Sequence, residues 1–484
     1  MAAYFTIPEI IAATGGTLIQ GGVADTFAGV STDSRTCQTG DLFIPLKGER
    51  HDGHKFIPAA LRRGALGVLV ENVEQPPSAV PLLVPPPAGP EQARARVPHF
   101  FPSEVTVIRV PDTLTALGDL AQAWRRRFKV PVIALTGSCG KTTTKEMAAA
   151  VLSRRFRVLK NSMNLNNLIG APQTLLELDA THEAAVVEMG MNRFGEIDRL
   201  TRIAAPTIGV LLNVHPAHTE GVGDVAGVAR AKGELIGALD RGATLIFNAD
   251  DPWLAPQCRK FPGRSLSFGL GPEADLQARE RVHQGRRGQE AVAHFQGRSW
   301  PLSLNVPGLH MLYNALAATA VGLAAGLSPE VTAAALAGFK PVARRSQVLT
   351  LPSGVHLLND CYNANPGSMA MALQNLAELR DDGRMAAALA DMLELGDSSV
   401  AAHRDLGRRA AAAGLDLLVI YGNFRQEVAE GAREAGMAPD RIVPVDTREA
   451  GGEVLNEFLE PGDWLLVKGS RSMRMEAVIE LLEV

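Results

Sequence analysis

The sequence predicts an α/β protein in three consecutive segments, the middle and last built on mainly parallel sheets. Three observations carry this. A chain of 484 residues is long enough for two to four domains. Short Val- and Ile-rich runs alternate with helical patterns through most of it. One such run, VPVIALTG, passes through a glycine-containing turn, SCGKTT, straight into a helical stretch. Composition excludes several other classes. Hydrophobic residues at 46% and charged residues at 21% rule out wholesale disorder. The balance of 48 basic against 52 acidic residues, a net charge of −4, offers no global attraction to nucleic acid or to a membrane surface. The four cysteines, Cys37, Cys139, Cys258 and Cys361, show no C-x-x-C spacing and are too few for a disulfide framework. No apolar run of 18 residues and no basic-then-apolar N-terminal leader is present. The expectation is a soluble, cytoplasmic, monomeric protein that acts on small molecules, with no nucleic acid partner and no membrane insertion.

The first segment, residues 1–110, opens with a short helical pattern at Ile7–Thr14. Turn-rich strands follow (TLIQGG, FAGVSTDSR, GDLFIPLKG), then a helix near FIPAALRRGA and the strand GVLVE. The loop 75–102 carries nine of the 30 prolines, which excludes helix and central strand there. The second segment, residues 111–340, begins with the amphipathic helix PDTLTALGDLAQAWRRRF, with Asp112 or Thr113 as its N-cap. Its strands are VPVIALTG, EAAVVEMG, PTIGVLLNV and ATLIFNAD, and the helix around MLYNALAATAVGLAAG closes it. The third segment, residues 341–484, alternates strands (VHLLNDCY, MAAALADM, LDLLVIYG, RIVPVD, DWLLVKG) with helices, in the manner of a doubly wound sheet. Pro366 suits the first position of the helix PGSMAMALQNLAEL.

The strongest chemical signal is Thr136-Gly137-Ser138-Cys139-Gly140-Lys141-Thr142-Thr143, set between a strand and a helix. Gly137 and Gly140 let the backbone turn around phosphate oxygens, and N–H groups at a helix start supply partial positive charge. Lys141 would meet the β- and γ-phosphates and Thr142 would ligate Mg²⁺. Leu135 stands where the common phosphate-loop pattern has its first glycine. Glu188 ends a strand, where parallel sheets place ligands, and a carboxylate there suits Mg²⁺. His215 and His218 follow another strand, and Lys232 starts a helical stretch, where taken alone it reads as a surface lysine. Asn314, and the turn Asp360-Cys361-Tyr362-Asn363-Ala364-Asn365-Pro366, carry amides that either read an adenine edge or orient a carboxylate. Lys468, Ser470 and Arg471 end a strand of the last sheet, where two cations and a hydroxyl suit an anionic group.

The phosphate loop TGSCGKTT, the EMG strand end, the NVHPAH turn, the AKGEL segment and NDCYNANPGSM resemble, in order along the chain, the Mur ligases. These are the ATP-dependent amide ligases of peptidoglycan precursor synthesis. STDSR, GDLFIPLKGERHDGHKF, NLNN, EMGMNRFGEI, PAHTEG, YNANPGSM, DMLELG and KGSRSMRME resemble the member that adds D-alanyl-D-alanine. The resemblance implies an N-terminal UDP-binding domain, a central ATPase domain and a C-terminal Rossmann-like domain. It implies that ATP phosphorylates the carboxylate of a UDP-linked muramoyl tripeptide and that the dipeptide amine attacks the acyl phosphate. It implies two Mg²⁺ ions, one on Thr142 and Glu188 and one on His218, with Lys232 carbamylated to N6-carboxylysine as a further ligand. Gly137, Ser138, Cys139, Gly140, Lys141, Thr142 and Thr143 would cradle ATP, with Arg345 on phosphate. Asn314, Asn363 and Asn365 would face adenine and Asp360 the ribose. Ser31, Ser34, Arg35 and Lys47 would meet UDP, Asn166 and Asn167 would lie near the peptide or the phosphate loop, and Lys468, Ser470 and Arg471 would bind substrate.

Overall fold

The computed structural model describes residues 3–48, 52–71, 101–162 and 164–482. Most of the proline-rich loop, residues 75–100, lies outside these. The chain divides into two compact units.

The first unit comprises residues 1–130, 164–182 and 202–205. Its five-stranded sheet runs Thr17–Gln20, Thr106–Arg109, Gly67–Val70, Asp41–Phe43, Gly29–Ser31, with only the first pairing antiparallel. The helix Thr113–Arg125 is capped by Asp112, whose carboxylate accepts from Thr115 N at 2.6 Å. Thr113, the alternative cap, is instead buried, and its hydroxyl donates to Glu71. That helix packs on Gly170–Leu176, and Trp124 Nε1 donates to Leu178 O at 2.8 Å.

The second unit, residues 131–163, 183–201 and 206–484, holds two sheets. The larger has nine strands in the order Arg298–Leu304, Gln289–Phe295, Leu276–His283, Arg264–Gly269, Thr244–Asn248, Ile208–Leu211, Val132–Thr136, Ala184–Glu188, Val158–Lys160. All pairings from Leu276–His283 to Val158–Lys160 are parallel. Val132–Thr136 comes first in sequence yet lies inside the sheet, between Ala184–Glu188 and Ile208–Leu211. The chain winds to one side of it and then to the other, leaving a crevice at the strand C-termini where the winding reverses. The helices Lys141–Leu152 and Leu309–Ala324 pack together, and Met147, Val151, Leu312, Leu316 and Val321 join Ile133, Leu135, Val186 and Val210 in one apolar core. Each fully buried side chain of this kind contributes about 1.5–3 kcal/mol. The antiparallel ribbon 276–304 carries no apolar run. Arg279, Glu280, Glu290 and Arg298 stand on its solvated face, and a bulge at Glu280 (φ +55°) breaks its register.

The smaller sheet runs Gln347–Thr350, His356–Asn359, Trp464–Lys468, Met385–Ala390, Leu417–Tyr421, Ile442–Val445. It is parallel except for its first pairing. The helix Pro366–Leu379 begins as its sequence suggests: Pro366 is the first residue, and the side chain of Asn365 caps Ser368 N at 2.9 Å.

Candidate active site

The phosphate loop leaves Val132–Thr136 at the crevice and enters the helix Lys141–Leu152. Polar contacts lace it to Asn213–His215, which follow the neighbouring strand. Cys139 N donates to Asn213 Oδ1 (2.8 Å), Asn213 Nδ2 donates to Cys139 O (3.1 Å), and Ser138 Oγ donates to His215 O (3.0 Å). Gly140 holds φ +79°, and a Cβ there would lie 2.3 Å from Asn314 Oδ1, the atom that accepts from Thr144 Oγ1. Asn314 thus braces the loop from the helix Leu309–Ala324. Gly140→Ala combines a left-handed backbone with this overlap, so we expect a loss of roughly 2–4 kcal/mol, read as a lowered midpoint in urea unfolding.

Lys141 Nζ donates to Gly137 O at 2.7 Å. Burial pulls its ammonium below the usual lysine range, opposed by the Glu188 carboxylate. Lys232 is 1% exposed and lies mid-way along the helix Val225–Ala238, not at its start. Burial, and then the charge of Lys141, hold it well below the ordinary lysine value. Two desolvated amines that repel each other are relieved by a polyanion placed between them.

Glu188 ends its strand 2% exposed. Asn161 frames it through Glu188 N→Asn161 Oδ1 (2.9 Å) and Asn161 Nδ2→Glu188 O (3.0 Å). The fully buried Lys145 lies with Nζ 3.9 Å from Glu188 Oε2 and donates to Asn161 O at 2.6 Å. Sequence reasoning missed Lys145 and Asn161. The signal available was position: Lys145 stands one helical turn beyond Lys141, on the same face. His218 adopts φ +57°, and its Nδ1 lies 2.5 Å from Glu394 Oε2. Glu220 N donates to Glu394 O, and Thr219 Oγ1 donates to Leu395 O. The DMLELG turn is thereby joined to the PAHTEG turn.

The asparagine-rich turn reaches the same loop. Asn365 Nδ2 donates to Ser138 O (3.4 Å), and the Cys139 thiol donates to Asn365 Oδ1 (3.2 Å). Asp360 pairs with the buried Lys468, which also donates to Asn363 O (2.9 Å). Arg345 stacks on Tyr362 at 4.0 Å. Ser470 Oγ accepts from Leu393 N at 2.9 Å. Most nucleotide-site residues expected from the sequence therefore converge in this unit, several of them as braces for the loop.

Among the described residues no three His, Cys, Asp or Glu side chains gather at one point. A hydroxyl on Thr142 and a carboxylate on Glu188 are nonetheless hard oxygen donors suited to an ion that takes its remaining ligands from phosphate and water.

The first unit contains a cavity of about 480 Å³ lined by Ser31, Thr32, Asp33, Leu165, Gln173 and Glu177, among others. Gln173 Nε2 donates to Thr32 Oγ1 at 2.5 Å, and burial pushes the Glu177 carboxyl up. Of the residues expected to meet UDP, Ser31 lines this cavity, while Ser34, Arg35 and Lys47 do not. Arg35 is exposed and paired with Asp33 at 2.7 Å, Ser34 is buried, and Lys47 bridges Asp52 through its backbone. Asn167 Oδ1 accepts from Ile169 N and Gly170 N, starting the next helix, and Asn166 N donates to Asn164 O.

Family models match along the chain in order: the Mur ligase catalytic domain over residues 26–125, the Mur ligase middle domain over 135–322 and the Mur ligase glutamate ligase domain over 344–471. UDP-N-acetylmuramoyl-tripeptide–D-alanyl-D-alanine ligase of Bacillus subtilis is 36% identical over 454 residues, covering 93% of this chain and 92% of that protein. A crystal structure of MurF from Acinetobacter baumannii superposes with a TM-score of 0.86 at 32% identity, covering 99% of this chain and 98% of that one. MurF from Thermotoga maritima in complex with ADP superposes at 0.78 with 28% identity, covering 93% and 96%. Family models in sequence order, a relative matched over nine-tenths of both chains, and a shared three-domain architecture establish that this chain belongs to the Mur ligase family.

Proposed function

We propose that this protein is an ATP-dependent ligase that joins D-alanyl-D-alanine to UDP-N-acetylmuramoyl-tripeptide, giving the UDP-linked pentapeptide. The observation that carries it is the phosphate loop laced to Asn213, His215 and Asn365, with a buried Glu188 carboxylate at the neighbouring strand end, in a chain whose curated relatives bear that activity. The tripeptide carboxylate attacks the γ-phosphorus and ADP leaves. The dipeptide amine then attacks the acyl carbon, the tetrahedral adduct expels phosphate, and the amine proton passes to solvent. Little covalent chemistry falls to the protein, so positioning and charge neutralisation dominate.

Lys141 bonds the transferring phosphoryl group and leaves Gly137 O to do so. The amides of Gly140, Lys141 and Thr142 hold the β-phosphate against the helix start, while those of Ser138 and Cys139 stay on Asn213. Arg345 adds positive charge on the nucleotide side, and Asn365 fixes the loop edge. Thr142 and Glu188 would hold one Mg²⁺, and His218 with carbamylated Lys232 a second; bound there, the ions neutralise phosphate charge. Lys232 is suited to carbamylation because an uncharged amine adds to CO₂, forming N–C and losing one proton, and its surroundings favour the uncharged amine. The carbamate sets an anion beside the Lys141 ammonium, relieving the desolvated cation there. We assign the cavity at Ser31 and Gln173 to the uridine end of the acyl substrate. Dependence on ATP places the reaction in the cytoplasm.

The test is phosphate release with ATP, Mg²⁺ and UDP-N-acetylmuramoyl-tripeptide, adding D-alanyl-D-alanine or single amino acids in turn. Release that requires the dipeptide is expected. Release with another amine only moves the enzyme elsewhere in the family.

A further inference from the structure

A second cation cluster stands beside the asparagine-rich turn. Arg344 precedes Gln347–Thr350 and Arg471 follows Trp464–Lys468. Their Nη1 atoms meet on one oxygen, Glu476 Oε1, at 3.1 Å and 2.6 Å. Glu476 Oε2 is buried without a hydrogen-bond partner. Two guanidiniums facing one carboxylate leave a positive charge uncompensated. Both guanidiniums remain open to solvent, 40% and 52% exposed, while Glu476 beneath them is 17% exposed. Arg344 also keeps φ +62°, a backbone that glycine takes freely and arginine does not. Strain of this kind persists where the surrounding structure enforces it. Here Tyr362 N donates to Arg344 O (3.2 Å) and Arg344 N to Gln347 Oε1 (3.3 Å). Arg471 N donates to Asn363 Oδ1 (3.3 Å).

The turn that anchors both arginines is the one whose Asn365 bonds the phosphate loop. From residue 363 to 365 the chain spans at most about 7 Å, and the amine and carboxylate of an extended dipeptide lie about as far apart. Three anionic groups meet at the reacting centre. The phosphates face the loop and Lys141, and the reacting carboxylate must lie at the γ-phosphate. The acceptor's own carboxylate is left.

Resting on the function proposed above, we infer that Arg344 and Arg471, splayed and held by Glu476, receive the C-terminal carboxylate of the dipeptide acceptor. The amine is then directed toward the phosphate loop, and the clamp selects acceptors that end in a free acid.

The test compares D-alanyl-D-alanine with D-alanyl-D-alaninamide in phosphate release at saturating ATP and acyl substrate. In the wild type the acid is preferred at least about tenfold in kcat/KM, the scale of one charge-assisted contact. Arg471→Gln and Arg344→Gly each raise the KM for the acid about tenfold and leave the amide little changed, so the preference collapses toward unity. KM for ATP stays constant, and Arg471→Lys keeps part of the preference. Arg344→Gly relieves the left-handed strain and melts no lower than wild type, which separates lost binding from lost folding. Equal use of acid and amide by the wild type, or variants that lose both acceptors alike, overturns the clamp. Failure of the wild type with any D-alanyl-D-alanine acceptor, alongside release with another amine, overturns the functional reading instead.

Discussion

Lys141→Ala is expected to cut substrate-dependent phosphate release by roughly a thousandfold, the scale on which a preorganised donor to developing charge acts in a dry site. Its ammonium rests on Gly137 O, 2.7 Å away, inside a loop whose other contacts belong to backbone, Asn213 and Asn365. No other lysine side chain in the loop can take its place, because Lys145 is committed to Asn161 and Glu188. The fold should tolerate the change, since burial already penalises the Lys141 ammonium. The checks are phosphate release and a melting curve. Full turnover with an intact fold would move the phosphate site elsewhere.

Lys232→Ala should be equally inactive, and short carboxylic acids such as acetate or propionate should restore part of the activity by placing a carboxylate where the carbamate stood. Full activity without rescue would reject the carbamate. A pH signature accompanies this. Burial, reinforced by Lys141, holds the folded-state value of Lys232 well below the ordinary lysine value, whereas the unfolded chain titrates near 10.4. Between the two the unfolded chain binds the extra proton, so stability rises with pH across that window. In CO₂-depleted buffer Lys232→Met should therefore be more stable than wild type at neutral pH. The gap should narrow toward pH 10, measured by urea unfolding. A gap that does not change with pH would mean that Lys232 is charged in the fold.

Parallel strands that are buried on two faces were legible because each reads as an unbroken apolar run, VIALT, AAVVE, LLVIY and WLLVK, whereas the short VLK and the mixed RSLSFG were not read as strands. The caps were legible because Asp112 and Asn365 with Pro366 are local chemistry. The ribbon 276–304 was not, since its alternating charges dilute the signal that marks a buried strand. Lys232 looked like a surface lysine at a helix start and proved to be wholly buried. One lysine in a helical pattern carries no mark of what packs over it.

The sequence by itself determined the chemistry on offer: a phosphate loop with its lysine, a carboxylate at a strand end, and motifs in the order of the Mur ligases. These are short-range patterns, and the physics of a glycine turn or a helix start is complete within a few residues. Which groups serve that chemistry was decided only by the tertiary structure. Lys145 and Asn161 frame Glu188, Asn314 fills the space a Cβ at Gly140 would need, and Glu476 gathers two arginines from segments more than a hundred residues apart. Burial and long-range charge arise when distant segments pack, and it is these that hold the Lys232 ammonium well below the ordinary lysine range.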